Sequence, residues 1–353
     1  VSFLSQPSAP AMKTVYSPRH HGHSGHVELY NGQIVPAFEK PERAEMIRAA
    51  VEARGFGATI APAEHGLAPL SRVHDPRYVD FLSQLTELWL ADERPLPILP
   101  SFWRAPGMRY IEPETVDGKL GHFSFDAGCC FVAGTWDAIR ASADVALTGV
   151  DLIRAGESSA FALCRPPGHH AHANAMGGYC FINNAAVAAQ AFRDAGAGRV
   201  AILDVDYHHG NGTQTIFYDR ADVLVLNIHG DPRQEYPYFL GHADEIGAGD
   251  GEGFNGNYPL RWGTGFDAWG EALDHACHRV AAYAPDVVVV SLGVDTYKDD
   301  PISQFRLDSP DYLAIGGRIA RLGLPTLFVQ EGGYAVEAIG VNVANTLEGF
   351  LQR

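Results

Sequence analysis

The chain has 353 residues, with 42 Asp and Glu against 26 Lys and Arg, a formal charge of -16 with histidine neutral. That balance argues against nucleic acid as a partner, since phosphate binding draws on clustered Lys and Arg. At 46% hydrophobic and 19% charged, the composition excludes disordered and fibrous classes and suits one large core or two modest ones.

The first segment, VSFLSQPSAPAM, has no basic region, and Ser, Gln and Pro interrupt its apolar residues, so it does not read as a signal peptide. Residues 1–11 are set aside as an added or disordered extension, and 12–353 are taken as a single domain. A histidine-rich run, HHGHSGH, follows at 20–26, where an ordinary loop is preferred over adventitious metal binding by His20, His21, His23 and His26. Helical patterns come next at PERAEMIRAAVEAR, DPRYVDFLSQLTELWLA and GTWDAIRASADVALTGVDLIRAG. Between the last two, residues 92–134 are rich in Pro, Gly and aromatics and predict surface loops shaping one mouth of a site.

From about residue 158 the pattern alternates. The runs SSAFALC, RVAILDVD, VLVLNIHGD, DVVVVSLGVD and LPTLFVQEGGY read as strands, with helices after most of them. The strands are continuous apolar runs, which predicts a parallel sheet covered by helices on both faces, a doubly wound α/β protein. No stretch approaches the roughly 18 consecutive apolar residues of a membrane span. The five cysteines form no C-x-x-C pair and read as reduced, in a soluble, cytoplasmic protein.

In such sheets ligands bind beyond the carboxyl ends of the strands. The residues there are His169 and His170; Asp204, Asp206, His208 and His209; Asp295; and Tyr334. Asp206 and His208 are two apart in an extended segment, so both project to one side and can reach one ion, with Asp295 as a third ligand. An Asp, His, Asp set with an open position suits a catalytic divalent metal, zinc first by ligand type. His169 and His170 follow a double proline and could divide base and electrostatic roles. Glu331-Gly332-Gly333 lets the backbone turn sharply to present the Tyr334 phenol toward an oxyanion. No G-x-S-x-G and no G-x-G-x-x-G is present, which speaks against serine nucleophile and dinucleotide chemistry.

The motifs RPPGHHA (165–171), GGYCFINNAA (177–186), ILDVDYHHGNGTQ (202–214), SLGVDT (291–296) and EGGY (331–334) together resemble the histone deacetylase superfamily, particularly its class II-like members. Within these, VELYNGQIVPAFEKPERAEMI, HGDPRQEYPYFLG and VDTYKDDPISQF are similar to the bacterial acetylpolyamine amidohydrolases. The resemblance runs from about Tyr16 to the C-terminus. It implies an arginase-deacetylase α/β fold with a mostly parallel eight-stranded sheet. It implies zinc, or iron(II), on Asp206, His208 and Asp295, with His170 as general base and then acid and His169 as an electrostatic partner. By the same match Asp204 hydrogen-bonds His169, and Asn211, where other deacetylases carry Asp, stands beside His170. Tyr334 holds the oxyanion, and Tyr179 and Tyr236 line a substrate tunnel.

The resemblance also implies that residues of about 20–41 form an insertion at a homodimer interface and narrow the entrance, favouring slim cationic acetylamines. Glu28 and Asp117 match acidic positions near the mouth. Structural potassium or sodium is implied at an inner site (Asp204, Asp206, His208 and Asn227, where the pattern usually has Ser) and at an outer one (Phe217, Arg220 and Val223). The implied activity is deacetylation of acetylpolyamines or related small amines. Its rivals are a protein acetyl-lysine deacetylase, an arginase-like binuclear manganese hydrolase and a catalytically silent binding protein.

Overall fold

The computed structural model describes residues 11–352. The extension expected at 1–11 therefore lies, apart from Ala11, outside the described residues. The strands are β1 (Lys13–Val15), β2 (Val27–Tyr30), β3 (Gln33–Pro36), β4 (Thr59–Ile60), β5 (Ser159–Ala162), β6 (Val200–Asp204), β7 (Val223–Gly230), β8 (Asn255–Leu260), β9 (Val287–Leu292) and β10 (Thr326–Gln330). The helices are α1 (Pro41–Arg54), α2 (Pro76–Ala91), α3 (Val116–His122), α4 (Thr135–Arg154), α5 (Asn184–Asp194), α6 (Asn211–Phe217), α7 (Phe266–Tyr283), α8 (Asp311–Ala320) and α9 (Val336–Leu351).

Eight strands form one sheet in the order β4-β1-β5-β10-β9-β6-β7-β8, and every neighbouring pair is parallel. The five central strands are buried along their whole length, as continuous apolar runs require. Alternate residues go to opposite faces. Ala201, Leu203, Val288 and Val290 pack with residues of α1, α7, α8 and α9, whereas Val200, Ile202, Val287 and Val289 pack with α4 and α5.

The helix boundaries follow local chemistry. Asp75 caps α2 by accepting the Arg77 amide, with Pro76 in the first turn. Asn183 caps α5 through the Ala186 amide at 2.9 Å. Gly55 ends α1 at φ 67°. The 92–134 segment is not all loop: Thr115 accepts the Gly118 amide and starts α3 inside it. The histidine-rich run includes a short 3-10 turn at Pro18–Gly22, and the hairpin β2–β3 follows it. Among the described residues no helix is long and apolar enough to cross a membrane.

From β5 the chain passes over the positions of β10 and β9 to lay down β6, and it returns later to fill them. The carboxyl ends of these four central strands therefore come from distant parts of the sequence and open onto one crevice.

Candidate active site

Beyond β6, the Asp206 Oδ1 accepts the His208 amide at 2.9 Å and its Oδ2 accepts the Gly332 amide at 2.8 Å. Asp295, beyond β9, accepts the Tyr207 amide through Oδ1 at 2.8 Å and faces His208 Nδ1 through Oδ2 at 3.0 Å. One ligand atom from each of Asp206, His208 and Asp295 lies within 4.8 Å of the others, and all three residues are buried. Burial and the Asp206 charge raise the Asp295 pKa to about 6. Burial opposes ionisation of Asp206 too, but His169 and His208 hold its pKa far below the carboxylate range. Two carboxylates and an imidazole converging in a buried space fit a divalent metal, which offsets their mutual repulsion.

Gly332 has to be glycine for contact as well as for turning. A Cβ there would stand 2.5 Å from Asp295 Oδ2 and 2.6 Å from Asp206 Oδ2. Gly333, at φ 118°, makes the turn that presents Tyr334. The turn is gripped from two sides. Arg43 donates to the carbonyls of Glu331 and Gly333 and lies over the Tyr334 ring, 4.6 Å from its centroid. Asp300 accepts the amides of Tyr334 and Ala335 at 2.7 and 3.2 Å. Burial keeps the Tyr334 hydroxyl protonated, well above the usual tyrosine range.

The tandem histidines sit beyond β5, with their backbone fixed by Glu331, whose Oε2 accepts the amides of Gly168 and His169 at 2.6 and 3.1 Å. Their rings lie 4.0 Å apart at the centroids, yet their environments push them in opposite directions. Burial alone would lower the His169 pKa, but Asp206 and Asp204 raise it to about 10, and Asp204 Oδ2 is 3.0 Å from Nδ1. His170 is driven well below 6.5 by burial, with His169 and His208 adding to it. Its Nδ1 faces Asn211 Oδ1 at 2.7 Å. One imidazolium beside one neutral imidazole suits a division into an electrostatic group and a base.

His170, His208 and Tyr334 line a cleft of about 740 Å³ that Tyr179, Tyr236 and Glu28 also line. The Tyr236 ring meets His170 edge-on at 5.0 Å, and Tyr179 approaches Tyr334 at 5.6 Å. Glu28 is only 3% exposed. Burial raises its pKa, and the Tyr179 phenol and the Phe38 backbone beside it counter that in part.

Asp117 is not brought to this cleft. It sits on α3, tied to Arg94 Nη1 at 2.5 Å. The acid from that part of the chain that lines the cleft is Asp126. Its carboxylate accepts the Tyr236 hydroxyl at 2.6 Å and the amides of Gly128 and Gly178, joining three loops. Sequence reasoning missed Asp126, Asp300 and Arg43, and it read Glu331 only as part of the turn before Tyr334. The one available signal was the presence of acids and a cation flanking the motifs.

The cation positions are placed as follows. Asn227 is paired in register with Asp204, and its Oδ1 accepts the Gly210 amide at 3.2 Å. The Arg220 amide donates to Phe217 O at 3.0 Å just before Val223 opens β7, while the Arg220 side chain pairs with Asp222.

The loop histidines are more ordered than an ordinary loop reading implies. His20 and His21 approach Glu45, and His23 and His26 stack at 4.1 Å beside the buried Glu39. Glu39 Oε1 accepts from both Arg43 and Arg165 at 2.8 Å. A dication at Glu39 would face two guanidiniums, which disfavours a metal at His23 and His26.

A family model described as "Histone deacetylase domain" matches residues 37–350. The chain is 59% identical over 339 residues to acetylpolyamine amidohydrolase 2 of Pseudomonas aeruginosa, covering 96% of this chain and 98% of that one. It is 49% identical over 338 residues to the acetylpolyamine amidohydrolase of Mycoplana ramosa, covering 96% and 99%. Among solved structures, an acetylpolyamine aminohydrolase from Burkholderia pseudomallei superposes with a TM-score of 0.91 at 40% identity, over 96% of this chain and 98% of that one.

Proposed function

The chain belongs to the histone deacetylase family, and from that premise we propose that it is a zinc-dependent amidohydrolase that deacetylates acetylpolyamines or related small acetylated amines. The observation that carries the reading is the convergence of Asp206, His208 and Asp295 with His170 and Tyr334 at one cleft. Zinc on those three ligands would polarise the acetyl carbonyl and lower the pKa of the attacking water toward about 7.

The residues of the chain do the rest. Neutral His170 takes the proton of the water through Nε2, since Nδ1 is engaged by Asn211. The same imidazole then gives a proton to the leaving amine, and acetate departs. His169, held as imidazolium between Asp204 and Asp206, favours the negative charge that develops nearby. The protonated Tyr334 hydroxyl donates to the oxyanion. Tyr179 and Tyr236 flank the substrate's methylene chain, and the Glu28 carboxylate on the cleft wall receives its distal ammonium.

An arginase-like binuclear site finds little support. It would need further bridging carboxylates, and among the described residues the metal-capable group there consists of Asp206, His208 and Asp295. A homodimer through the 20–41 insertion is part of the proposal, supported by Leu29 and Ile34 exposed on the hairpin. So are potassium or sodium ions at the Asp204 and Phe217 positions.

The test is acetate release from N-acetylputrescine, N-acetylcadaverine and acetylspermidine set against acetyl-lysine peptides, before and after chelation and zinc return. Turnover on the amines that is lost with the metal and restored by zinc is expected. Faster turnover of the peptides would move the substrate to acetylated proteins.

A further inference from the structure

The Asn211 side chain has two imidazole neighbours. Its Oδ1 is 2.7 Å from His170 Nδ1, and its Nδ2 is 3.0 Å from His172 Nε2. A primary amide has nearly the same shape when flipped but opposite polarity. With Oδ1 toward His170, Nδ1 of that ring carries the proton and Nε2 is free to act as a base. With the amide reversed, Nδ1 must accept, the proton moves to Nε2, and the ring can no longer take a proton from water.

The orientation is decided one step further out. With the single Thr215 hydroxyl hydrogen directed to Gly212 O, 3.0 Å away, Oγ1 accepts from His172 Nδ1 at 2.9 Å. A neutral His172 with its proton on Nδ1 has a lone pair on Nε2, and the donor facing it is Asn211 Nδ2. Each hydrogen bond then runs in one direction, from His170 through Asn211, His172 and Thr215 to a helix carbonyl of α6. Burial supports this by pushing the His172 pKa down to about 4, which keeps the ring neutral. The ring is also mechanically fixed. The His172 amide donates to Ala175 O at 2.9 Å, its carbonyl faces His74 Nδ1 at 3.0 Å, and the ring meets Phe125 edge-on at 5.2 Å.

We propose that His172 is a positioning residue that sets the amide orientation of Asn211 and, through it, the tautomer of His170. This rests on the reading of His170 as the general base. A carboxylate in place of Asn211 would accept from His170 with either oxygen and need no such partner. The neutral, two-faced asparagine does need one.

The experiment compares His172→Phe, which removes the acceptor but keeps a ring against Phe125, with His172→Gln, which restores an acceptor, and with Thr215→Val. Turnover of N-acetylputrescine by the zinc-loaded enzyme is measured together with the His170 tautomer, read from ¹⁵N shifts of histidine-labelled protein. His172→Phe should lower kcat about tenfold, the bias of roughly one hydrogen bond, with KM unchanged and Nε2–H His170 appearing in the spectrum. His172→Gln should recover most of the rate. Thr215→Val, at a partly exposed position, should move both readouts the same way by a few-fold. Parental kcat in His172→Phe, or a lower kcat with the His170 tautomer unaltered, would overturn the proposal. His170→Ala separates the two layers: full activity there removes the base assignment, whereas its loss beside an unaffected His172→Phe removes only the role of His172.

Discussion

Replacing Glu39 by Gln tests how the Tyr334 turn is held. Glu39 is fully buried, and one of its oxygens takes both Arg43 and Arg165. Burial raises its pKa, but Arg165 and Arg43 more than reverse this and bring it from 4.5 to about 2. At about 1.4 kcal/mol per pH unit that depression is worth about 3 kcal/mol. Breaking a buried pair from one side costs about 3–5 kcal/mol, and the lower end applies here. Arg43 keeps the carbonyls of Glu331 and Gly333, and Arg165 keeps those of His20 and His23. Burial lowers the pKa of Arg165 in spite of Glu39, so the pair is worth little over an apolar replacement while its half-removal is expensive. Thermal unfolding of Glu39→Gln should show a Tm lower by roughly 4 °C, since about 2.1 cal/mol/K per residue makes the unfolding entropy large in a chain of this length. Because the folded-state pKa is depressed, the contribution is present above pH 4.5 in the parent and fades as the pH falls toward 2. The difference between the two proteins should shrink over that interval. A Tm within about 1 °C of the parent at neutral pH, or a difference that does not shrink on acidification, would refute the reasoning.

Tyr334→Phe should lower kcat by about 10²–10³, the worth of one oxyanion donor, and His170→Ala by about 10²–10⁴, with unchanged circular dichroism. Near-parental turnover in either removes its assigned role. Gly332→Ala should weaken zinc binding about 10- to 100-fold, as disturbed supports of metal ligands do, because its Cβ would press on oxygens of both Asp295 and Asp206. Competition against a chromogenic chelator measures this, and parental affinity counts against the packing argument.

The centre of the sheet was legible because a strand buried on both faces has to be apolar throughout, and five such runs stand out. The residues after them were legible because polar groups that interrupt such a pattern at the same relative place have a shared reason. The sheet margins were not. β1 and β4 have three and two residues, too short for periodicity, and the edge strand β8 reads NGNYPL, with two asparagines and a proline. The supports of the site were hidden for a different reason. Asp126 meets Tyr236 across 110 positions, and Arg43 meets Gly333 across 290. No local pattern encodes contacts of that range.

Asp117 and Asp126 show how the same limit affects substrate reasoning. Both are acids in the central segment and both contribute equally to the net charge of -16, but α3 turns Asp117 toward Arg94 while the next loop carries Asp126 to the cleft. Net charge counts an acid whether or not a neighbouring cation has neutralised it. Recognition of an ammonium depends on an acid that remains unpaired where the ligand arrives. Asp126 is committed to Tyr236 and two amides, whereas Glu28 lines the cleft beside the Tyr179 phenol with no cation paired to it among the described residues. On the proposed reading, the preference for a cationic amine rests on one buried carboxylate rather than on the acidic surface.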